Sequence, residues 1–231
     1  MATLVKVDKD SLSTVDTYAH LTDYLGLDYL GGGYFIAIGN VTTPVIRWYT
    51  IKFRIEAGTQ RDVEIIGNST VGGWSSICAD KIKGIDNNHW KYLWRIANPT
   101  TIPAQARLDQ INTEGGIIKF NKDAGCLDYH GITFDGKDVW VGTRCTNEIQ
   151  KLDRTLSNNS SFRIVEGFSV PASITDLCFD GLNFWCTFDD GDGTSTLRVY
   201  DRVGNRIRNL PVESELGGIC TDGNCFYIEI I

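Results

Sequence analysis

Apolar and polar residues alternate along this chain in short runs bounded by turn residues. Three runs share one form: Ile132-Thr-Phe-Asp-Gly136 leading to Val139-Trp140-Val141, Leu177-Cys-Phe-Asp-Gly181 leading to Phe184-Trp185-Cys186, and Ile219-Cys-Thr-Asp-Gly223 leading to Phe226-Tyr227-Ile228. Period-2 alternation predicts strands with one face buried, and Asp-Gly between two such runs is a strong hairpin signal. Each hairpin carries an aromatic residue five positions after its Asp. Two weaker copies lie upstream, Leu27-Asp-Tyr-Leu-Gly31 before Tyr34-Phe35-Ile36 and Ser76-Ile-Cys-Ala-Asp80 before Leu93-Trp94, the second with an insertion from about Lys81 to Lys91.

The aromatic column Phe35, Trp94, Trp140, Trp185 and Tyr227 recurs roughly every 45 residues. A second column follows it: Arg107-Leu-Asp109, Lys151-Leu-Asp153 and Val199-Tyr-Asp201, each leading through a turn to another alternating run. Each repeat therefore predicts four antiparallel strands, the signature of a propeller blade. The first residues, Val5 to Asp8 and Ser13 to Thr17, match strands three and four. The last, Gly218 to Ile231, match strands one and two. Together they predict one shared blade that closes the ring and leaves no open sheet edge at the seam. The expectation is an all-β, five-bladed β-propeller in one domain, with blades at about 22–70, 76–120, 131–168, 174–213, and 217–231 plus 1–18. Two tandem β-sandwich domains would need a linker near mid-chain, and the sequence has none.

Composition agrees with this picture. The 231 residues are 42% apolar and 22% charged, with six Trp, nine Tyr and ten Phe beside one Met. Rigid rings suit sheet-on-sheet packing. The net charge of −7 comes without a Lys/Arg run, which argues against a nucleic-acid partner. No run approaches the roughly 18 apolar residues of a membrane span. The N-terminus has no basic-then-apolar leader, so the expected setting is cytoplasmic, with a secreted or virion-associated one left open.

Seven cysteines occur without a Cys-x-x-Cys pair. Cys78, Cys178 and Cys220 share one repeat position and predict small buried hydrophobes in the reduced state. If Asp222-Gly223 is a two-residue turn, Cys220 lies opposite Cys225 and a cross-strand disulfide becomes feasible.

The fullest repeat, Gly131-Ile-Thr-Phe-Asp-Gly-Lys-Asp-Val-Trp-Val-Gly142 followed by Ile149-Gln-Lys-Leu-Asp-Arg154, resembles NHL-type, YVTN-type and streptogramin-lyase-like propellers. The likeness covers the last three repeats well and the second poorly. Those families include binding scaffolds, lyases and hydrolases, so the resemblance implies a fold more than a function.

Sites are sought in the residues that do not repeat. Loops between blades, and loops joining strands two and three, converge on one face of a propeller. On that face His130, flanked by Asp128 and Tyr129, suits a general base or a ligand contact. Trp74, Asp176 and Glu215 precede inner strands of other blades and are expected around the channel mouth, Trp74 as a stacking surface. His130, Asp176 and Glu215 are the catalytic candidates. His20 is a weaker analogue, and His89 belongs to the opposite face. No cofactor is predicted: Asp189-Asp-Gly-Asp-Gly193 reads first as a hairpin loop shaped by its glycines, with Asp189, Asp190 and Asp192 as weak candidate ligands for Ca2+ and no EF-hand pattern. The repeated Asp80, Asp135, Asp180 and Asp222 are read as turn residues. No Gly-x-Ser-x-Gly, P-loop or His-Glu-x-x-His occurs. The expectation is a monomeric, non-catalytic scaffold for a small molecule, glycan or partner protein. The alternative is a lyase or hydrolase at the channel mouth.

Overall fold

A computed structural model of the chain describes residues 3–19, 24–42, 46–56, 59–69, 73–81, 90–98, 106–112, 117–123, 128–153, 164–171 and 173–231. Among these residues twenty strands form five antiparallel sheets of four. The first blade is β3 (Tyr24–Gly31), β4 (Tyr34–Thr42), β5 (Ile46–Glu56) and β6 (Thr59–Ser69). The second is β7 (Gly73–Lys81), β8 (Trp90–Asn98), β9 (Ala106–Ile111) and β10 (Ile117–Asp123). The third is β11 (Tyr129–Phe134), β12 (Val139–Thr143), β13 (Glu148–Leu152) and β14 (Ile164–Ser169). The fourth is β15 (Ile174–Phe179), β16 (Phe184–Asp189), β17 (Ser195–Tyr200) and β18 (Arg206–Val212). The fifth joins β19 (Leu216–Thr221) and β20 (Cys225–Ile230) to β1 (Thr3–Asp8) and β2 (Thr14–Ala19).

The inner strands β3, β7, β11, β15 and β19 each pack on the next, and β19 packs on β3. The molecule is a five-bladed β-propeller. At the seam β1 lies antiparallel to β20, with Val5 opposite Ile228 and Lys6 opposite Tyr227. A separate apolar core fills each blade interface. The one at the seam joins Leu4, Leu27, Phe35, Cys220 and Tyr227. The buried Cys78, Cys178 and Cys220 belong to three of these cores, as small hydrophobes.

The recurring Asp and its aromatic partner form one clamp. In Asp180, Oδ1 accepts the N–H groups of Leu182 (2.8 Å) and Asn183 (2.7 Å), while Oδ2 accepts Trp185 Nε1–H at 2.8 Å. Asp135 does the same with Lys137, Asp138 and Trp140, and Asp222 with Asn224, Cys225 and the Tyr227 hydroxyl. The turn needs the acceptor and the strand offers the donor, so the five-residue spacing follows from hairpin geometry. Cations of the following blade close over two clamps: Arg202 on Asp135 and Lys9 on Asp180, each at 3.0 Å. The first blade has no such Asp. Its turn is made by Gly31, Gly32 and Gly33, all at positive φ, with Gly33 N–H donating to the Tyr29 hydroxyl at 3.0 Å.

Two expectations are corrected. Asp109 does not end a third strand in register with Asp153 and Asp201. Trp94 pairs with Gln110 whereas Trp140 pairs with Lys151, so Asn112 holds the strand-end place. Asp109 is buried mid-strand between Arg95 (3.0 Å) and Arg107 (2.6 Å). Cys220 does not face Cys225. Its partner in register is Tyr227, because the turn is held from Asp222 to Cys225, and neither thiol is in a disulfide. Cys145, exposed after β12, is disulfide-bonded, and its partner lies outside the described residues.

Candidate functional site

Four residues before the hairpin turn each inner strand presents one residue to the axis: Gly26, Ser76, Gly131, Asp176 and Gly218. A register shift falls at this position or immediately before it in all five blades. Such bulges re-aim the strand. The glycines are a packing requirement. A Cβ on Gly26 would meet Ser76 Cα at 2.5 Å, and one on Gly131 would meet Leu177 N at 2.7 Å. The inner strands thus close in until one carboxyl group fills the centre.

That carboxyl is Asp176, 1% exposed. Its Oδ1 accepts the Ser76 hydroxyl at 2.9 Å, from two blades away, and its Oδ2 accepts Ile219 N–H at 3.0 Å. Ser76 Oγ in turn accepts Ile132 N–H at 3.1 Å. One chain of bonds ties four blades across the axis. Burial dominates the carboxyl and pushes its pKa up to about 8, against the hydrogen bonds and with help from Asp28. Asp28 reaches the second blade through Ala79 N–H at 2.7 Å. Asp176, expected at the channel mouth, is therefore a sealed axial plug. Glu229 is buried beside it, with Oε2 accepting Gly218 N–H at 3.3 Å.

His130 lies on the face where the inner strands begin. It is half-buried, and Asp128 Oδ1 sits 2.6 Å from its Nε2. A carboxylate only accepts, so the neutral ring carries its proton on Nε2 and turns a bare Nδ1 outward. That Nδ1 has no partner among the described residues and is not buried. Burial, then the charge of Arg144, lower the imidazole pKa, while Asp128 opposes them. The ring is therefore held neutral. Arg144 is anchored in two ways: its Nε donates to Ile174 O across the blade boundary at 2.8 Å, and its backbone N–H donates to Asp128 O at 2.9 Å. Asn147 and Ser173, two of the three described non-glycine residues at positive φ, flank this boundary. Backbone held in that region is unfavourable and concentrates at working surfaces.

The other sequence candidates do not join this group. Tyr129 is fully buried between the second and third blades. Glu215 is exposed before β19 and its carbonyl accepts Ile231 N–H at 3.0 Å. Trp74 is in β7, with its side chain outside the described residues, as are His20 and His89. In the acidic loop, Asp189 accepts Gly191 N–H, Asp192 accepts Thr194, and Asp190 accepts the Thr196 hydroxyl. These carboxylates shape their own hairpin. Among the described residues no group of three His, Cys, Asp or Glu side chains is arranged to hold a metal. Ser76, Glu229 and Arg144 were not singled out by the sequence. Ser76 carried a signal, since it breaks a glycine column.

No protein-family model matches the chain, and no curated protein matches its sequence. Solved structures do match its shape. A glutaminyl cyclase of Myxococcus xanthus aligns with TM-score 0.62 at 9% identity, over 99% of this chain and 98% of its own. A chain of a nidogen/laminin complex aligns with TM-score 0.58 at 9% identity, over 95% and 98%. A gluconolactonase of Xanthomonas campestris aligns with TM-score 0.51 at 14% identity, over 92% and 87%. At such identities the likeness is one of fold. It supports a β-propeller and does not single out the NHL, YVTN or streptogramin-lyase type.

Proposed function

We propose that the protein is a binding scaffold without a reaction of its own, taking a small ligand, a glycan or a partner protein on its loop-rich face. One observation carries the reading. Asp128, His130 and Arg144 converge, partly exposed, at the boundary of the third and fourth blades, from positions the repeat does not explain. Polar groups already fixed by backbone bonds recognise a ligand at little ordering cost. The relatives by shape include enzymes and a complex-forming protein, and so leave the class open. A glycan array and a pull-down, run with wild type and His130→Ala, test the reading. Binding that His130→Ala weakens supports it. No partner alongside measurable turnover overturns it.

The dyad geometry favours a second reading, a lyase or hydrolase. A carboxylate that fixes an imidazole with its free nitrogen outward is the arrangement of a general base. Turnover abolished by His130→Ala would favour it, and activity left intact would sink it. We further infer an oxidising setting in place of the cytoplasmic one, since a disulfide at an exposed loop persists where thiols are not kept reduced. The hairpin Asp, the aromatic residue and the Leu-Asp-Arg ending lead us to group the chain with NHL- and YVTN-type propellers.

A further inference from the structure

We propose that the loop-face site takes a small hydroxy acid: Arg144 holds the carboxylate, and His130 Nδ1 accepts a hydrogen bond from a neighbouring hydroxyl of the same ligand. This rests on the binding reading above and names the chemistry that the face selects. Arg144 carries the argument. Its Nε is committed to Ile174 O, which fixes the guanidinium plane and leaves the Nη edge. Neither Nη group has a partner among the described residues, and neither is buried. The nearby carboxylates are occupied. Asp128 is bonded to His130, and Glu148 accepts the Thr146 hydroxyl at 2.8 Å and Gln150 Nε2 at 2.7 Å. An anchored but unpaired guanidinium in a chain of net charge −7 is out of keeping with its surroundings. Its fixed edge matches a carboxylate, which it can engage with two parallel hydrogen bonds.

His130 supplies the second half. A neutral imidazole with Nε2–H given to Asp128 offers only an acceptor at Nδ1, so the ligand must bring a donor there. An acid lacking a hydroxyl leaves Nδ1 unanswered, and a neutral sugar leaves Arg144 unanswered. The charged groups bearing on the site are Asp128 and Arg144, and both are named in its chemistry.

Calorimetric titration with D-glucuronate, D-glucose and acetate tests the proposal on the full chain. D-glucuronate is expected to bind at least about tenfold more tightly than either of the others, the scale of one lost charge-assisted contact. Arg144→Gln should weaken D-glucuronate about tenfold and leave D-glucose unchanged. Arg144→Lys keeps the charge without the fork and should fall between. His130→Phe should weaken D-glucuronate and leave acetate unchanged. Thermal melts check that each variant folds, and the Arg144→Lys and His130→Phe arms stand if Arg144→Gln does not fold. Equal binding of D-glucuronate and D-glucose, or no loss in Arg144→Gln, overturns the proposal, as does no heat from D-glucuronate at the order of 10 mM. Hydrogen exchange over residues 128–147 separates the two readings. Protection there by a ligand that is not acidic would refute the hydroxy-acid chemistry and keep the binding face. A bound ligand that protects only other segments would refute both.

Discussion

Asp176 is the residue at which burial most changes chemistry. A carboxyl whose pKa stands near 8 in the folded ring and near 4 in the open chain keeps its proton only when folded. Between those values the native state holds more protons than the unfolded one, so stability falls as pH rises. The stabilisation is complete below about pH 4 and is lost through about pH 8. His130, with its lowered pKa, works in the other direction and only below its ordinary range. Over the window from about pH 7 to 8.5 His130 no longer contributes, while the thiols of Cys178 and Cys186, pushed up by burial, add a decline of the same sign, so Asp176 is read as the part of the decline that its own substitution removes. Wild type is expected to lose melting temperature across it. Asp176→Asn, which keeps an acceptor for Ile219 N–H and turns an amide toward Ser76 Oγ, is expected to flatten that decline; parallel curves for the two proteins would refute the assignment. The sequence marked Asp176 as an odd residue before an inner strand, but not its burial. Burial there depends on glycines from three other blades reaching one level of the axis, and no single repeat carries that information. The thiols divide along similar lines. Alkylation of the denatured, unreduced protein is expected to label Cys78, Cys178, Cys186, Cys220 and Cys225 and to spare Cys145. Labelled Cys145 in a peptide map would remove the disulfide and the oxidising setting inferred from it.

At the scale of the strand pair, most of the structure was legible. The Asp-Gly turn and the aromatic five residues later announced three hairpins, and the observed bonds explain the spacing: one carboxylate serves two turn amides and one ring donor. Removing it leaves three donors short of a partner at a half-buried turn. Asp180→Ala is expected to destabilise by about 1–3 kcal/mol in urea melts, and Asp180→Asn, which keeps one oxygen to accept the turn amides, by less. A loss for Asp180→Asn as large as that for Asp180→Ala would mean that the turn bonds do not matter as argued. What the repeat misread was register. Arg107-Leu-Asp109 copies the letters of Lys151-Leu-Asp153 but sits three places earlier on its strand, because Arg95 draws Asp109 into a buried pair. Cys220 and Cys225 failed for a related reason: the turn closes at Cys225, and the paired residues move outward from it.

For the whole molecule the seam is the critical joint. The ring closes because β1 supplies the third strand of a blade begun by β19 and β20, and Leu4 enters the same core as Leu27, Phe35 and Tyr227. Without β1 and β2 the edge of β20 is open and one of five inter-blade cores loses a wall. The terminal strands are thus part of the closure and not an appendage, which yields two expectations with opposite signs. Deleting residues 1–18 should abolish the cooperative thermal transition. Joining Ile231 to Met1 and opening the chain between β2 and β3 should preserve the fold, since every blade is then continuous and Thr3 already pairs with Ile230. That permutant gives up only the covalent link between the fifth and first blades. It should therefore melt cooperatively but at a lower temperature, because the ends of the ring must now be brought together by contacts alone. Circular dichroism melts of the two proteins check both. A truncation that melts cooperatively near the wild-type temperature would show that four and a half blades close without the seam, and the shared blade would no longer be what holds the ring together.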